Sequence, residues 1–155
     1  MNREMKFRGR DKYQKWHYGF FWKSPDGKYW IKEPIDKLHS ADFEIIPETV
    51  GQYIGQNDNQ HKEIYEKDII EYFDSCYAVD VEDGKPLPLI GIVKWNQESC
   101  TYEPLISACE DFNNNCFAYV CDGSSDKDAY YKVIGNVFDN PEIKEKKREN
   151  WKLEL

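Results

Sequence analysis

Residues that commonly carry catalysis are few in this chain, and their spacing matches no catalytic motif. The 3 histidines are His17, His39 and His61, and none has the partner residues of the metal-binding motif H-E-x-x-H. The sequence also contains no G-x-S-x-G motif, no glycine-rich phosphate loop and no local signature of a catalytic cysteine. We therefore predict no catalytic residue, no metal ligand and no cofactor.

Cysteine spacing gives no metal site either. The 5 cysteines are Cys76, Cys100, Cys109, Cys116 and Cys121. An odd number of cysteines does not complete a set of disulfides, and no C-x2-C pair is present to hold zinc tetrahedrally. We predict free thiols without bound metal, as in a reducing compartment.

Acidic side chains form two further patterns, and both are weak. The loop after residue 56 places oxygen ligands in the order of a calcium loop at Asn57, Asn59, Glu63 and Asp68. It lacks the central glycine and ends in Asp instead of a bidentate Glu, so we expect its side chains to cap the loop's own backbone turns. Carboxylate pairs at Glu66/Asp68 and Asp80/Glu82 arise by chance among 29 acidic residues and define no acid-base site.

Aromatic side chains are concentrated in the first predicted hairpin, at Trp16, Tyr18, Trp22 and Trp30. Alternation along the strand predicts that Trp16, Tyr18 and Phe20 share one side. Aromatic side chains on a sheet stack on nucleic-acid bases or bind peptides, and they also pack across strands. We favour cross-strand packing and keep a binding surface as the alternative. Basic residues cluster nearby, at Lys6, Arg8, Arg10, Lys12 and Lys15, and again over 144–148. We expect solvated surface charge at both clusters.

Composition narrows the class of protein. With 29 acidic and 21 basic side chains, the formal charge of -8 repels a phosphate backbone, so duplex DNA is an unlikely ligand. No apolar run reaches the length of a membrane span, and the N-terminus lacks the apolar centre of a signal peptide. We expect a folded cytoplasmic protein that does not enter a membrane.

Short alternating stretches separated by turn residues predict a mainly-β fold. Strands are predicted over 5–9, 13–23, 28–32, 42–46, 49–54, 68–73, 89–95, 116–121 and 130–138. The sequence Ser24-Pro25-Asp26-Gly27 predicts a hairpin turn, and the strands at 68–73 and 89–95 are predicted to be antiparallel neighbours. Gly135 predicts a bend or a close backbone approach within the last strand. Asn140 and Pro141 are typical of a helix start, which predicts a short charged helix to Leu155.

The same pattern predicts three regions. Residues 1–60 form a hairpin-rich β portion, residues 61–143 form a second β unit with an insertion at about 96–128, and residues 144–155 form a charged tail.

Three segments carry a family resemblance. Residues 5–12 read MKFRGRDK, residues 49–55 read TVGQYIG and continue at 62–70 as KEIYEKDII, and residues 133–142 read VIGNVFDNPE. In order and spacing they resemble the YopX family of phage and prophage proteins, with its I-K-F-R-A-W-D, T-V-G-Q-Y-T-G, G-K-E-I-Y-E-G-D-I-V and V-I-G-N-I-Y-E-N-P-E. The region between Cys76 and Tyr130 matches no part of that pattern.

The chain departs from the family pattern at several positions. It has Gly9 and Arg10 where the family usually has Ala and Trp, and Ile54 where the family has Thr. It also has His61 and Lys67 where the family has Gly. If those glycines adopt positive φ, each replacement costs about 1 kcal/mol or the turn changes shape.

The resemblance implies a second unit that is an SH3-type small barrel or roll, and it implies no catalytic residue. From the absent catalytic motifs and the aromatic hairpin we expect a non-enzymatic accessory protein that binds another protein. A single-stranded nucleic-acid or RNA binder is the alternative, and an enzyme with an unrecognised site is a third hypothesis. A homo-oligomer is also left open.

Overall fold

The computed structural model describes residues 4–73, 89–97, 101–106 and 130–141. Within these ranges the chain forms ten strands, with a 3-10 turn at Pro47–Thr49. The strands are β1 (Phe7–Arg10), β2 (Trp16–Lys23), β3 (Tyr29–Pro34), β4 (Ser40–Glu44), β5 (Gly51–Asn57), β6 (Glu63–Tyr65), β7 (Asp68–Phe73), β8 (Leu89–Asn96), β9 (Thr101–Ile106) and β10 (Tyr130–Asn136). The predicted mainly-β fold is confirmed.

The strands form two antiparallel sheets in two compact units. One sheet has six strands in the order β4-β3-β2-β1-β5-β6, and the other has four in the order β10-β7-β8-β9. The first unit comprises Met1–Gln56 with Glu63–Tyr65, and the second comprises Asn57–Lys62 with Glu66–Leu155. The sequence predicts a division between residues 60 and 61, whereas the structure assigns β6 to the first unit and the loop before it to the second.

The hairpin of the first unit forms as the turn residues predict. Ser24 N donates to Lys28 O at 2.9 Å, and Gly27 N donates to Ser24 O at 2.9 Å. Gly27 has φ +88°, a conformation that glycine adopts without steric cost. The turn therefore sets the register of β2 and β3, in which Trp22 lies opposite Trp30.

One side of the six-stranded sheet forms the apolar core of the first unit. Its buried aliphatic side chains are Ile31, Ile45, Ile54 and Ile64. Gly9 lies under this core, where an added Cβ would collide with Cγ2 of Ile45. The departure from the family's alanine at this position therefore gives the Ile45 side chain its room.

In the second unit, β7 pairs with β8 as predicted, and β10 lies on the other side of β7. The buried side chains include Ile69, Ile70, Val93, Tyr131 and Val133. The register of β10 shifts between Val133 and Gly135, which confirms the bend predicted at that glycine. An added Cβ at Gly135 would collide with Asn140 Oδ1.

Two strands were not predicted. β6 has only three residues, and β9 has the sequence TYEPLI, in which Pro104 interrupts any strand pattern. β9 nevertheless pairs with β8 along its whole length. Pairing with β8 thus stabilises β9 as a strand although its local sequence does not favour one.

The predicted barrel is not confirmed, and several predictions concern residues that the structure does not describe. The four-stranded sheet does not close into a barrel within the described strands, so the SH3-type barrel is not confirmed. Five predictions fall wholly or mostly outside the described residues. They concern the helix beyond Pro141, the tail at 144–155, the strand at 116–121, all 5 cysteines and most of the insertion at about 96–128. No helix in the described part of the chain is long and apolar enough to cross a membrane.

Candidate interaction surface

The side of the six-stranded sheet opposite the apolar core carries the aromatic residues singled out by the sequence. Alternate residues of a strand point to the same side, which places Trp16, Tyr18 and Phe20 together as predicted. The pairing of Trp22 with Trp30 extends this row onto β3. We call the set Trp16, Tyr18, Phe20, Trp22 and Trp30 the aromatic face.

Two members of the aromatic face are fixed by their neighbours. The rings of Trp22 and Trp30 stack with centroids 5.9 Å apart and planes 17° apart. The Trp22 indole donates to Asp42 Oδ1 at 3.1 Å, and the Trp30 indole donates to Ser24 Oγ at 3.1 Å. The predicted cross-strand packing is confirmed for this pair.

At the other end of the aromatic face, two arginines of β1 lie against aromatic rings. The Arg8 guanidinium is 4.9 Å from the ring centroids of both Trp16 and Tyr65, and the Arg10 guanidinium is 4.7 Å from that of Trp16. Arg8 is 5% exposed and Arg10 is 9% exposed. The expectation of solvated charge is therefore wrong for these two residues, because flat guanidinium groups stack on aromatic faces.

Tyr65 closes this end of the surface from β6. Its hydroxyl donates to Glu63 Oε2 at 2.7 Å. Burial raises the pKa of Tyr65 far above its usual value, and the bond to Glu63 adds to the effect. The phenol therefore stays protonated near neutral pH, donates to Glu63 and packs against Arg8.

Lysines around the surface are paired with carboxylates. The pairs are Lys6 with Glu63 at 2.7 Å, Lys28 with Glu44 at 3.0 Å and Lys32 with Asp42 at 3.9 Å. Each pair reduces the positive potential that a phosphate backbone would meet.

The middle of the aromatic face is open. Phe20 is 57% exposed and Tyr18 is 37% exposed, although both lie between the fixed tryptophan pair and the arginine cluster. Exposed aromatic side chains held by rigid neighbours are typical of the central residues of protein interfaces.

Behind the aromatic face, His17 of β2 is fully buried. Its Nε2 is 3.1 Å from Asp11 Oδ2, its Nδ1 is 2.8 Å from Glu33 Oε2, and its ring stacks on Phe43 with centroids 3.7 Å apart. Both ring nitrogens have carboxylate partners and the ring is buried, so His17 connects β2 to β3 and to the β1–β2 loop. The spacing of these residues along the chain matches no motif, which is why the sequence did not reveal them.

Asp11 connects this histidine to the β1–β2 loop. Its Oδ1 accepts from Tyr13 N at 2.8 Å and from Lys15 N at 3.0 Å. Burial acts to raise the pKa of Asp11, but the bonds from Lys15, His17 and Tyr13 outweigh it and lower the pKa.

The calcium-like loop is organised by Asp58, which had no part in that pattern. Its Oδ1 accepts from Gln60 N and Lys62 N, both at 2.8 Å, and its Oδ2 accepts from Val133 N at 3.0 Å. The prediction that this loop caps its own backbone is confirmed. No three His, Cys, Asp or Glu side chains lie together as metal ligands within the described ranges.

Comparison with known proteins gives a matching family model and similar solved structures, one of which is described here. The family model described as YopX protein matches residues 6–145. The chain is similar to the crystal structure of protein EF1440 from Enterococcus faecalis, with a TM-score of 0.45, 18% sequence identity, and coverage of 92% of this chain and 99% of that chain. A search of the curated proteins found no match.

Proposed function

This chain belongs to the YopX family, and on that premise we propose that it is a non-catalytic, protein-binding accessory protein of a phage or prophage. Its site of action is the host cytoplasm, and its interaction surface is the aromatic face. The observation that carries the proposal is the exposure of Tyr18 and Phe20 between rigid neighbours.

Preorganisation supports this choice of surface. The stacked pair of Trp22 and Trp30 on one side, and Arg8 against Trp16 on the other, already hold their conformations in the free chain. A partner that covers Phe20 therefore orders few side chains, which lowers the entropy cost of association. Aromatic and arginine side chains are also enriched among residues that dominate binding energy at protein interfaces.

Charge favours a protein over a nucleic acid as the partner. The chain carries a formal charge of -8, and the lysines around the aromatic face lie beside carboxylates. A single-stranded nucleic acid or RNA is the second candidate, because Arg8 and Arg10 stack on rings beside which bases could also stack.

Affinity purification of the tagged chain from the bacterium that encodes it tests the first candidate. We expect a co-purifying protein whose recovery falls roughly tenfold or more with Phe20→Ala, since truncating a central aromatic residue removes much of the binding energy. Tyr13→Ala is the matched control, because Tyr13 is 78% exposed but lies in the β1–β2 loop, off the aromatic face. Equal loss with both variants, or with neither, contradicts the proposal.

Oligonucleotide binding separates the two candidates. Phosphate contacts weaken steeply as salt rises, so a nucleic-acid binder retards labelled single strands at low salt and releases them at higher salt. We expect no retardation of single-stranded or duplex probes. Salt-dependent retardation that is lost in Arg8→Ala would instead establish the nucleic-acid function.

For the second unit, the SH3-type barrel stays a proposal. The antiparallel order β10-β7-β8-β9 and the register shift at Gly135 support it, because bulges bend a sheet toward closure. Closure requires a partner for the outer edge of β9. Slow amide exchange at outward-facing positions of β9 is the expected result, and fast exchange there would exclude a barrel.

A further inference from the structure

β4 lies at one end of the six-stranded sheet. Ile35 N donates to His39 O at 2.9 Å, and Ile45 N donates to Tyr29 O at 2.8 Å. In an antiparallel pair the hydrogen-bonded residues alternate, so 39, 41, 43 and 45 bond to β3. The backbone N–H and C=O groups of residues 40, 42 and 44 therefore point away from the sheet, along what we call the outer edge of β4.

No other strand pairs with this outer edge in the part of the chain that the structure describes. A row of outward N–H and C=O groups is a template for one more strand. Asp42 and Glu44 stand on this edge, on the side of the aromatic face, and their side chains are 39% and 53% exposed. Lys32 lies 3.9 Å from Asp42 and Lys28 lies 3.0 Å from Glu44, and exposed ion pairs of this kind are weak, so both carboxylates can still attract a cation of an added strand.

We propose that the outer edge of β4 binds an extended segment of a partner protein as an added strand, with lysine or arginine side chains opposite Asp42 and Glu44. Opposite charges on directly facing residues stabilise a strand pair. The inference rests on the proposed function in one respect, namely that the partner is a protein.

The side chains on the other side of β4 indicate which residue types suit the remaining positions of the added strand. Phe43 is half-buried there and stacks on His17. A residue of the added strand beside Phe43 gains most by being apolar, because it covers the exposed part of that ring. The recognised segment thus alternates basic and apolar residues.

A second copy of this chain fits the edge poorly. Antiparallel pairing of β4 with itself, centred on Asp42, places that carboxylate opposite its own copy. Pairing centred on Phe43 places Asp42 opposite Glu44. Like charges on facing residues destabilise strand pairs, so both of these registers are disfavoured and a different chain with basic residues fits the edge better.

Site-resolved amide hydrogen exchange on the full chain tests the proposal. The probe is a short acetylated and amidated peptide in which lysine and valine alternate, and the matched control replaces lysine with glutamate. We expect the lysine peptide to slow exchange at the amides of Ser40, Asp42 and Glu44 by roughly tenfold or more. The amides of Ala41 and Phe43, which already bond to β3, should not change.

Two variants check the mechanism. Asp42→Lys combined with Glu44→Lys should reverse the preference, so that the glutamate peptide protects the edge and the lysine peptide binds roughly tenfold more weakly. Ser40→Pro removes an N–H that points away from β3, so the fold should persist while edge protection falls. A melting curve that matches the wild type confirms that the proline variant is folded.

Three results would overturn the proposal: no protection at saturating lysine peptide, protection confined to other residues, or equal protection by both peptides. Protection that rises with protein concentration alone would assign the edge to a second copy instead. Failure of the edge is distinguishable from failure of the aromatic face, because Phe20→Ala should leave peptide protection of β4 unchanged.

Discussion

β10 and β4 are the end strands of two different sheets, and their outer edges differ in whether described residues cover them. At β10, Tyr131 O accepts from Asn59 N at 2.9 Å and Val133 N donates to Asp58 Oδ2 at 3.0 Å, so the chain's own loop covers the edge. At β4, the described residues supply no such cover. In the part of the chain that the structure describes, a loop thus closes the β10 edge and no element closes the β4 edge, and the difference depends on where a hydrogen-bonding loop lies.

Burial distinguishes the carboxylates at these two edges. Asp58 is 5% exposed, and three backbone N–H groups bond to it. Asp42 and Glu44 are partly exposed; Asp42 accepts from the Trp22 indole, and both carboxylates form ion pairs with lysines. We therefore expect the β10 edge to affect stability strongly and the β4 edge to affect binding.

Removal of β10 should have the largest effect. A chain that ends before Tyr130 loses Tyr131 and Val133, which are buried, and it leaves one side of β7 without a partner. Each such side chain contributes roughly 1.5–3 kcal/mol, against a total stability of about 5–15 kcal/mol for a domain. We expect the second unit to lose its cooperative unfolding transition in chemical denaturation.

A chain that ends after Lys144 is the control for this truncation. It keeps every described strand, and the sequence predicts that the charged tail beyond it adds little to the core. We expect a soluble product whose melting temperature changes by only a few degrees. Aggregation of this longer product would contradict the prediction for the tail.

Opening the β10 edge without removing it should have the next largest effect. Asp58→Ala leaves the amides of Gln60, Lys62 and Val133 without their acceptor, and lost bonds to a buried charge cost about 3 kcal/mol in total. Urea denaturation measures the loss. Asp36→Ala is the matched control, since Asp36 accepts from Leu38 N and His39 N in an exposed turn, and it should cost much less.

The same carboxylate predicts a dependence of stability on pH. Burial acts to raise the pKa of Asp58, but the bonds from Val133, Lys62 and Gln60 outweigh it and hold the pKa below its ordinary value. A depressed folded-state pKa gives stability that is present above the unfolded pKa of about 3.9 and is lost as pH falls through the folded value.

We therefore expect the unfolding free energy of the wild type to fall below about pH 5. Asp58→Asn should show a shallower decline, since it has no proton to gain at this site. Denaturation curves recorded from neutral to acidic pH measure both slopes. Parallel slopes for the two proteins would show that Asp58 is not the group responsible.

Backbone conformation at two family glycine positions should give the smallest effect. His61 has φ 64° and Lys67 has φ 68°, so the positive φ inferred from the family pattern is confirmed at both. His61→Gly and Lys67→Gly should each be neutral or stabilising by up to about 1 kcal/mol, because relief of strain outweighs the added entropy of the unfolded chain. Clear destabilisation by His61→Gly would show that its side chain supports the β10 edge.

Local sequence signals predicted much of this fold. Alternation located most strands within a few residues, the residues Ser24 to Gly27 predicted the first hairpin, and Gly135 predicted the bend in β10. Alternation also predicted that Trp16, Tyr18 and Phe20 lie on one side of their strand. These features depend on neighbours along the chain, so the sequence contains their cause.

The candidate surface was only half predictable. The aromatic residues were visible in the sequence, whereas the burial of Arg8 and Arg10 against rings was not. Tyr65 reaches Arg8 from a strand that the sequence did not predict, and Arg10 meets Trp16 only through the pairing of β1 with β2. His17 was likewise visible only as a histidine without a motif.

The sequence by itself determined the strand pattern, the turn chemistry and the aromatic composition of the first hairpin, because each depends on residues a few positions apart. Only the tertiary structure decided which sheet edge is covered. Asp58 and Val133 are 75 positions apart, and no periodicity links a carboxylate to an amide at that distance. The position of β4 at the end of its sheet, among the described strands, is determined in the same way, since a strand lies at the edge of a sheet only relative to strands that pair elsewhere.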